Sequence, residues 1–108
     1  MGKSSTIGGD EAVRVTEGTL ATSGASPTFE ASGRFNVTVW DAGDLGTVSI
    51  NIERSFDGGA NWRVCTAAGE TVTFTGEFTE VLDEPEAGVL YRLNIELAEG
   101  TLGYRFSQ

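Results

Sequence analysis

The chain has no histidine, one cysteine, one lysine and two prolines in 108 residues. Without histidine there can be no Ser/His or Cys/His nucleophile pair, and the commonest acid–base residue and metal ligand is missing as well. A single cysteine, Cys65, rules out an intrachain disulfide. Bases are scarce: Lys3 and six arginines stand against sixteen acids, for a net charge of −9. Phosphate binding needs a basic patch from which counterions can be released, so nucleic acid is not expected as a partner. No apolar run is long enough to cross a bilayer as a helix. Met1-Gly2-Lys3-Ser4-Ser5-Thr6 lacks the apolar stretch of a secretory signal. No sustained 3.6-residue apolar period occurs, so helix is expected to be nearly absent.

What the chain does have is alternation. From Arg34 onward apolar and polar residues change places every second position, as in strands with one buried face. Phe35, Val37 and Val39 alternate with Asn36, Thr38 and Trp40, and Val48, Ile50 and Ile52 make the next strand. Further strands are predicted over 62–66, 71–75, 78–82 and 89–97, and a last one carries Leu102, Tyr104 and Phe106. Turn sequences separate them at the short spacing of sandwiches and barrels. The expected fold is all-β: an antiparallel β-sandwich, immunoglobulin-like or jelly-roll-like, of about seven to eight strands.

Residues 1–33 differ in composition, being rich in Gly, Ser, Thr and Ala. They are expected to form an extended N-terminal arm with one or two short strands, near 12–16 and 19–22, anchored by Val13 and Val15. Residues 34–108 are expected to form the sandwich by themselves, and to stay folded if the arm is removed.

Between the strands over 47–53 and 62–66 lies Ser55-Phe56-Asp57-Gly58-Gly59-Ala60-Asn61-Trp62. Glycine reaches φ > 0 without steric cost, and aspartate can bond backbone amides two residues on. The pattern Ser55-x-Asp57-x-Gly59-x-x-Trp62 resembles the Asp-box hairpin of sialidases and other secreted or viral β-proteins. That resemblance implies a folding device, not catalysis by Asp57. Further on, Glu84-Pro85-Glu86-Ala87-Gly88-Val89-Leu90-Tyr91 reads as a proline-containing loop followed by a strand. It resembles the tyrosine corner of immunoglobulin-like sandwiches, with one extra step between Gly88 and Tyr91. Pro85, Gly88 and Tyr91 are thus corner residues, with the Tyr91 hydroxyl expected on a backbone group.

Other candidates are weaker. The acids around Glu84 and Glu86 sit in a small sandwich with little room for the carboxylate-lined cleft of a glycosidase. Asp41-x-x-Asp44 and Asp83-Glu84-x-Glu86 match calcium-loop spacing only loosely. Cys65 reads as a strand packing residue, although Arg63 shares its face by alternation. Trp40 points away from Phe35, Val37 and Val39, which makes it a candidate contact for the arm or a partner. No catalytic, metal or cofactor residue is assigned, and an enzyme is not expected.

Residues 53–62, 84–92 and 102–108 together resemble a group of small structural proteins of tailed bacteriophages. The likeness covers roughly residues 34–108. It implies a non-enzymatic virion component, a capsid decoration or cement protein on the outer head surface, made in the bacterial cytoplasm. Its implied partners are the major capsid protein or other virion proteins and copies of itself, as in a trimer, with no membrane. The alternative is a carbohydrate- or receptor-binding module of a phage tail or head fibre, suggested by Trp40, Trp62 and the hairpin.

Overall fold

The computed structural model describes residues 14–108. Every regular element among them is a strand: β1 Val15–Leu20, β2 Gly24–Ala25, β3 Phe29–Gly43, β4 Val48–Ser55, β5 Arg63–Val64, β6 Thr66–Ala67, β7 Glu70–Thr71, β8 Phe78–Leu97 and β9 Thr101–Ser107. Seven of them join in one antiparallel sheet in the order β1-β9-β3-β8-β4-β5, with β2 also on β8, while β6 and β7 pair with each other. The fold is all-β, as the alternation predicts.

Two long strands turn this one sheet into a sandwich. Residues 33–39 of β3 pair with 78–84 of β8, and residues 29–31 pair with 89–91. Between these blocks Ser32 alone faces residues 85–88, a large bulge at which both strands bend. Gly33 and Gly88 take up the bend at φ +83° and +80°, where a side chain would be strained. Six residues of straight strand would span about 20 Å. Yet the rings of Phe29 and Phe35 lie 5.7 Å apart, so β3 folds over at the bulge. One layer is β1, β9, the later part of β3 and the start of β8. The other is β2, β4, β5 and the end of β8.

The core fills the space between the layers. Phe35, Val37, Val39, Leu102, Tyr104 and Phe106 come from the first, and Val48, Ile50, Ile52, Val89, Leu93 and Ile95 from the second; all are buried. Phe29 closes the corner, stacked on Phe106 at 5.5 Å between centroids. Ser23 and Ser26 hold the β2 segment on β8. Each hydroxyl accepts a β8 amide, from Leu97 at 2.8 Å and Leu93 at 2.9 Å.

Three expectations need correction. First, the boundary between residues 33 and 34 falls inside β3, and Phe29 and Ala31 belong to the core at 2% and 0% exposure. β1 pairs with β9 along its whole length. Composition hid this, because Phe29 and Ala31 sit among small and polar residues and are buried only by pairing with Tyr91 and Val89, far along the chain. Second, the expected strands over 78–82 and 89–97 are one strand, β8, and the acidic stretch between them is its bend, not a loop. Third, the strands expected over 62–66 and 71–75 shrink to β5, β6 and β7 plus a single bridge from Phe74 to Ile50. This excursion runs along the β4 edge and bonds to it only at points, through Phe74 to Ile50, the Cys65 amide to Ile52, and the two residues of β5.

Candidate functional site

The hairpin after β4 is tied by side chains. The Ser55 hydroxyl, wholly buried, donates to Asp57 Oδ1 at 2.7 Å and accepts the Gly59 N–H at 2.9 Å. Asp57 also accepts the Asn61 N–H at 2.9 Å and the Asn61 side-chain amide at 2.8 Å. These bonds, from the Asn61 side chain first, then its backbone and Ser55, pull the Asp57 pKa from an ordinary 3.8 down to about 2. Its oxygens are occupied by loop donors, which leaves Asp57 no free acid–base role. Because the folded pKa is depressed, the stabilisation is complete above about pH 4 and disappears as pH falls through about 2. Asp57→Asn is therefore expected to melt below wild type at neutral pH, with the gap closing toward pH 2. A gap in melting temperature that is constant with pH would contradict this.

Trp62, at the end of the hairpin, is half-buried and packs on the outer face of the second layer. The Arg92 guanidinium lies 4.1 Å from the Trp62 ring centroid. It donates to Glu53 at 2.8 Å, and Glu53 also accepts from Asn94 at 3.3 Å. The stack joins the hairpin to β4 and β8 and engages one face of the indole. Beside it, Ser23, Gly24, Ser49, Asn51, Asn94 and Glu96 line a polar concavity of about 490 Å³.

The corner places Gly88 and Tyr91 as the tyrosine-corner reading expects, but with another partner. The Tyr91 hydroxyl donates to Glu84 Oε1 at 2.8 Å, not to a backbone group. Arg54, at an inward position near the end of β4, reaches the same oxygen at 2.6 Å, and Glu84 Oε2 accepts the Glu86 N–H at 3.0 Å. The four-residue bulge turns the Glu84 carboxylate under the tyrosine, into the place a carbonyl would take. Glu84 is 3% exposed. Burial alone would raise its pKa; the bonds from Arg54, Tyr91 and the Glu86 amide outweigh it and hold the pKa low. Burial first, then the bond to Glu84, pushes the Tyr91 phenol up. Pro85 is exposed on the outside of the bend. The sequence marks Glu84 only as one of several clustered acids, and nothing local distinguishes it from Asp83 or Glu86 as the acceptor for Tyr91.

Cys65 is half-buried in the wall of an apolar cleft of about 340 Å³, with Ile52, Val72, Phe74 and Leu82. Burial raises its pKa and keeps the thiol protonated, which disfavours the nucleophilic role that Arg63 suggested. The Asp41 carboxylate accepts the Gly43 and Leu45 amides at 2.9 and 3.1 Å, which makes it a turn-former. Among the described residues no cluster of His, Cys, Asp or Glu is placed to hold a metal.

The outer face of the first layer carries a different signal. Register aligns Val15, Ser107, Asn36 and Val81 in one row. Glu17, Arg105, Thr38 and Thr79 form the next, and Thr19, Gly103 and Trp40 the one after. Trp40 lies against Gly103 so closely that a Cβ there would collide with the indole. Among the described residues five large apolar side chains are exposed, and three of them, Trp40, Val15 and Val81, stand on this face. Trp40 and Val15 share this face, two rows and two strands apart; Val13 lies outside the described residues. Sequence reasoning missed Val81, whose outward alternation on β8 was the available signal.

The chain is an antiparallel β-sandwich protein. No protein-family model matches it and no curated protein matches its sequence. Among solved structures it is similar to the Yersinia pseudotuberculosis-derived mitogen, with a TM-score of 0.53 and 11% identity, over 89% of this chain and 83% of that one. At that identity the likeness concerns the fold.

Proposed function

We propose that the protein is a non-enzymatic structural subunit of a tailed-phage virion, a capsid decoration protein that docks on the outer head surface. The observation that carries this reading is the outer face of the first layer. There Trp40, Val15 and Val81 stand exposed on a four-stranded surface that is otherwise polar, with one ion pair between Glu17 and Arg105. An exposed tryptophan seated on a rigid strand is the residue type that anchors interfaces, because it buries a large area at little conformational cost. The resemblance of residues 53–62, 84–92 and 102–108 to small phage structural proteins supplies the class of partner, a major capsid protein or other virion protein. Copies docking on a repeating lattice gain from multivalency where a single contact is weak. The activity named for the Yersinia protein does not transfer at 11% identity.

The test is to mix purified subunit with undecorated heads and count bound copies. Saturable binding is expected. Trp40→Ala should reduce affinity roughly tenfold or more, and any single exposed Asp or Glu substitution should reduce it less. Binding to host surface polysaccharide, with none to heads, would favour the second reading, a glycan-binding module. That reading rests on the polar concavity lined by Ser49, Asn51, Asn94 and Glu96.

A further inference from the structure

The sheet ends at β1, and nothing among the described residues pairs with its outer edge. The ladder identifies which groups are left over. The Gln108 N–H donates to the Arg14 carbonyl at 2.9 Å, and Val15 pairs with Ser107. In an antiparallel ladder bonded and non-bonded pairs alternate. Thr16, Gly18 and Leu20 therefore direct their amides and carbonyls at β9, while Val15, Glu17 and Thr19 direct theirs outward. Edge strands are ordinarily blunted by unpaired charges (lysine above all), proline, bulges or inward charges, and the one charge on β1, Glu17, is paired with Arg105. β1 has none of these over its six residues, Val15–Leu20, and its pairing with β9 runs without a register shift.

We propose that this edge pairs with β1 of a second copy, antiparallel and two-fold, so that the sheet runs on from one molecule into the other. Charge selects the occupant. The molecule carries a net −9, so two copies repel over most of their surface. At β1 the only charge is Glu17, and Arg105 neutralises it at 3.2 Å. A basic partner would gain little at this neutral seam, whereas a second copy meets no repulsion there. Charge also selects the register. Of the registers that a two-fold axis allows, the two centred on the strand overlap the most residues, and they set either Glu17 or Gly18 opposite its own copy. The first brings two carboxylates face to face. The second sets Glu17 opposite Thr19, and both have outward amides and carbonyls, so each such pair closes two bonds. A single strand edge covers less area than a stable interface needs, so the dimer dissociates on dilution.

This inference is independent of the virion reading, and its test uses the purified full chain with no heads present. Sedimentation velocity across a wide concentration range is expected to show a monomer–dimer equilibrium, tightened by salt as the overall repulsion is screened. Thr19→Pro removes only an outward donor, a change that edge strands tolerate, and is expected to abolish the dimer with circular dichroism and melting unchanged. Thr16→Pro removes a donor to β9 and is expected to lower the melting temperature instead. Should Thr19→Pro fail to fold, amide exchange on the wild type decides. The Glu17 and Thr19 amides should be protected only at high concentration, and those of Thr16, Gly18 and Leu20 at every concentration. A chain that stays monomeric, forms a trimer, dissociates with added salt, or dimerises equally well with proline at position 19 would overturn the proposal.

Discussion

Removing residues 1–33 is expected to leave a chain that no longer folds. The deletion takes away β1 and β2, uncovers the edge of β9, and removes Phe29 and Ala31 from the core. Phe29 is stacked on Phe106 and packed against Phe35, and truncating such a ring to alanine alone costs about 3–5 kcal/mol. Small domains have only about 5–15 kcal/mol of stability in total. The loss of the ring, the strand and the two serine clamps together exceeds what residues 34–108 could withstand. Circular dichroism and urea unfolding of the truncated chain provide the check. A soluble product with native strand content and a cooperative transition would show that the sandwich closes without its first two strands and the start of the third. It would restore the boundary that composition suggests.

Glu84→Ala is expected to be the most damaging single change of a charged side chain. It strands the Arg54 guanidinium and the Tyr91 hydroxyl at the corner. Breaking a buried ion pair by removing one partner costs about 3–5 kcal/mol. Arg54 is 32% exposed and can regain water, which places the expected loss near the lower end of that range. Tyr91→Phe, which removes one hydrogen bond and leaves the ion pair, should cost about 1 kcal/mol. Urea denaturation of both variants measures the difference. Equal losses would mean that the tyrosine, not the carboxylate, organises the corner. Because the Glu84 pKa is lowered from its ordinary 4.5, its contribution is present above that pH and declines below it. Glu84→Gln should therefore fall furthest behind wild type at neutral pH and least in acid.

Alternation made most of the sandwich legible. Val48, Ile50 and Ile52, the inward residues of β8 from Val89 to Ile95, and Leu102, Tyr104 and Phe106 are buried where a period of two puts them. The hairpin was legible for another reason, since Ser55, Asp57, Gly59 and Asn61 bond within seven residues of one another. The corner was half legible. Gly88 and Tyr91 announce a bend, but the acceptor for the phenol depends on how a bulge folds Glu84 underneath. The opening third was misread because Phe29 and Ala31 are packed by partners far along the chain, Tyr91 and Val89.

The sequence by itself determined the secondary-structure class, the inward faces of the main strands and the turn after β4. These follow from local chemistry: period-two alternation, glycine at positive φ and side chains that bond nearby amides. It also set the acidic balance of charge and the lack of histidine. Only the tertiary structure decided that β3 and β8 cross from one layer to the other and that residues 14–33 belong to the sandwich. Only it set a carboxylate beneath Tyr91, placed Trp40, Val15 and Val81 on one face, and left the outer edge of β1 without a partner among the described residues. Each of these depends on register between segments far apart in the chain, and one residue of slip would turn every side chain to the opposite face. No short stretch of residues encodes that register; it emerges when Phe29, Phe35, Tyr91 and Phe106 pack at one corner.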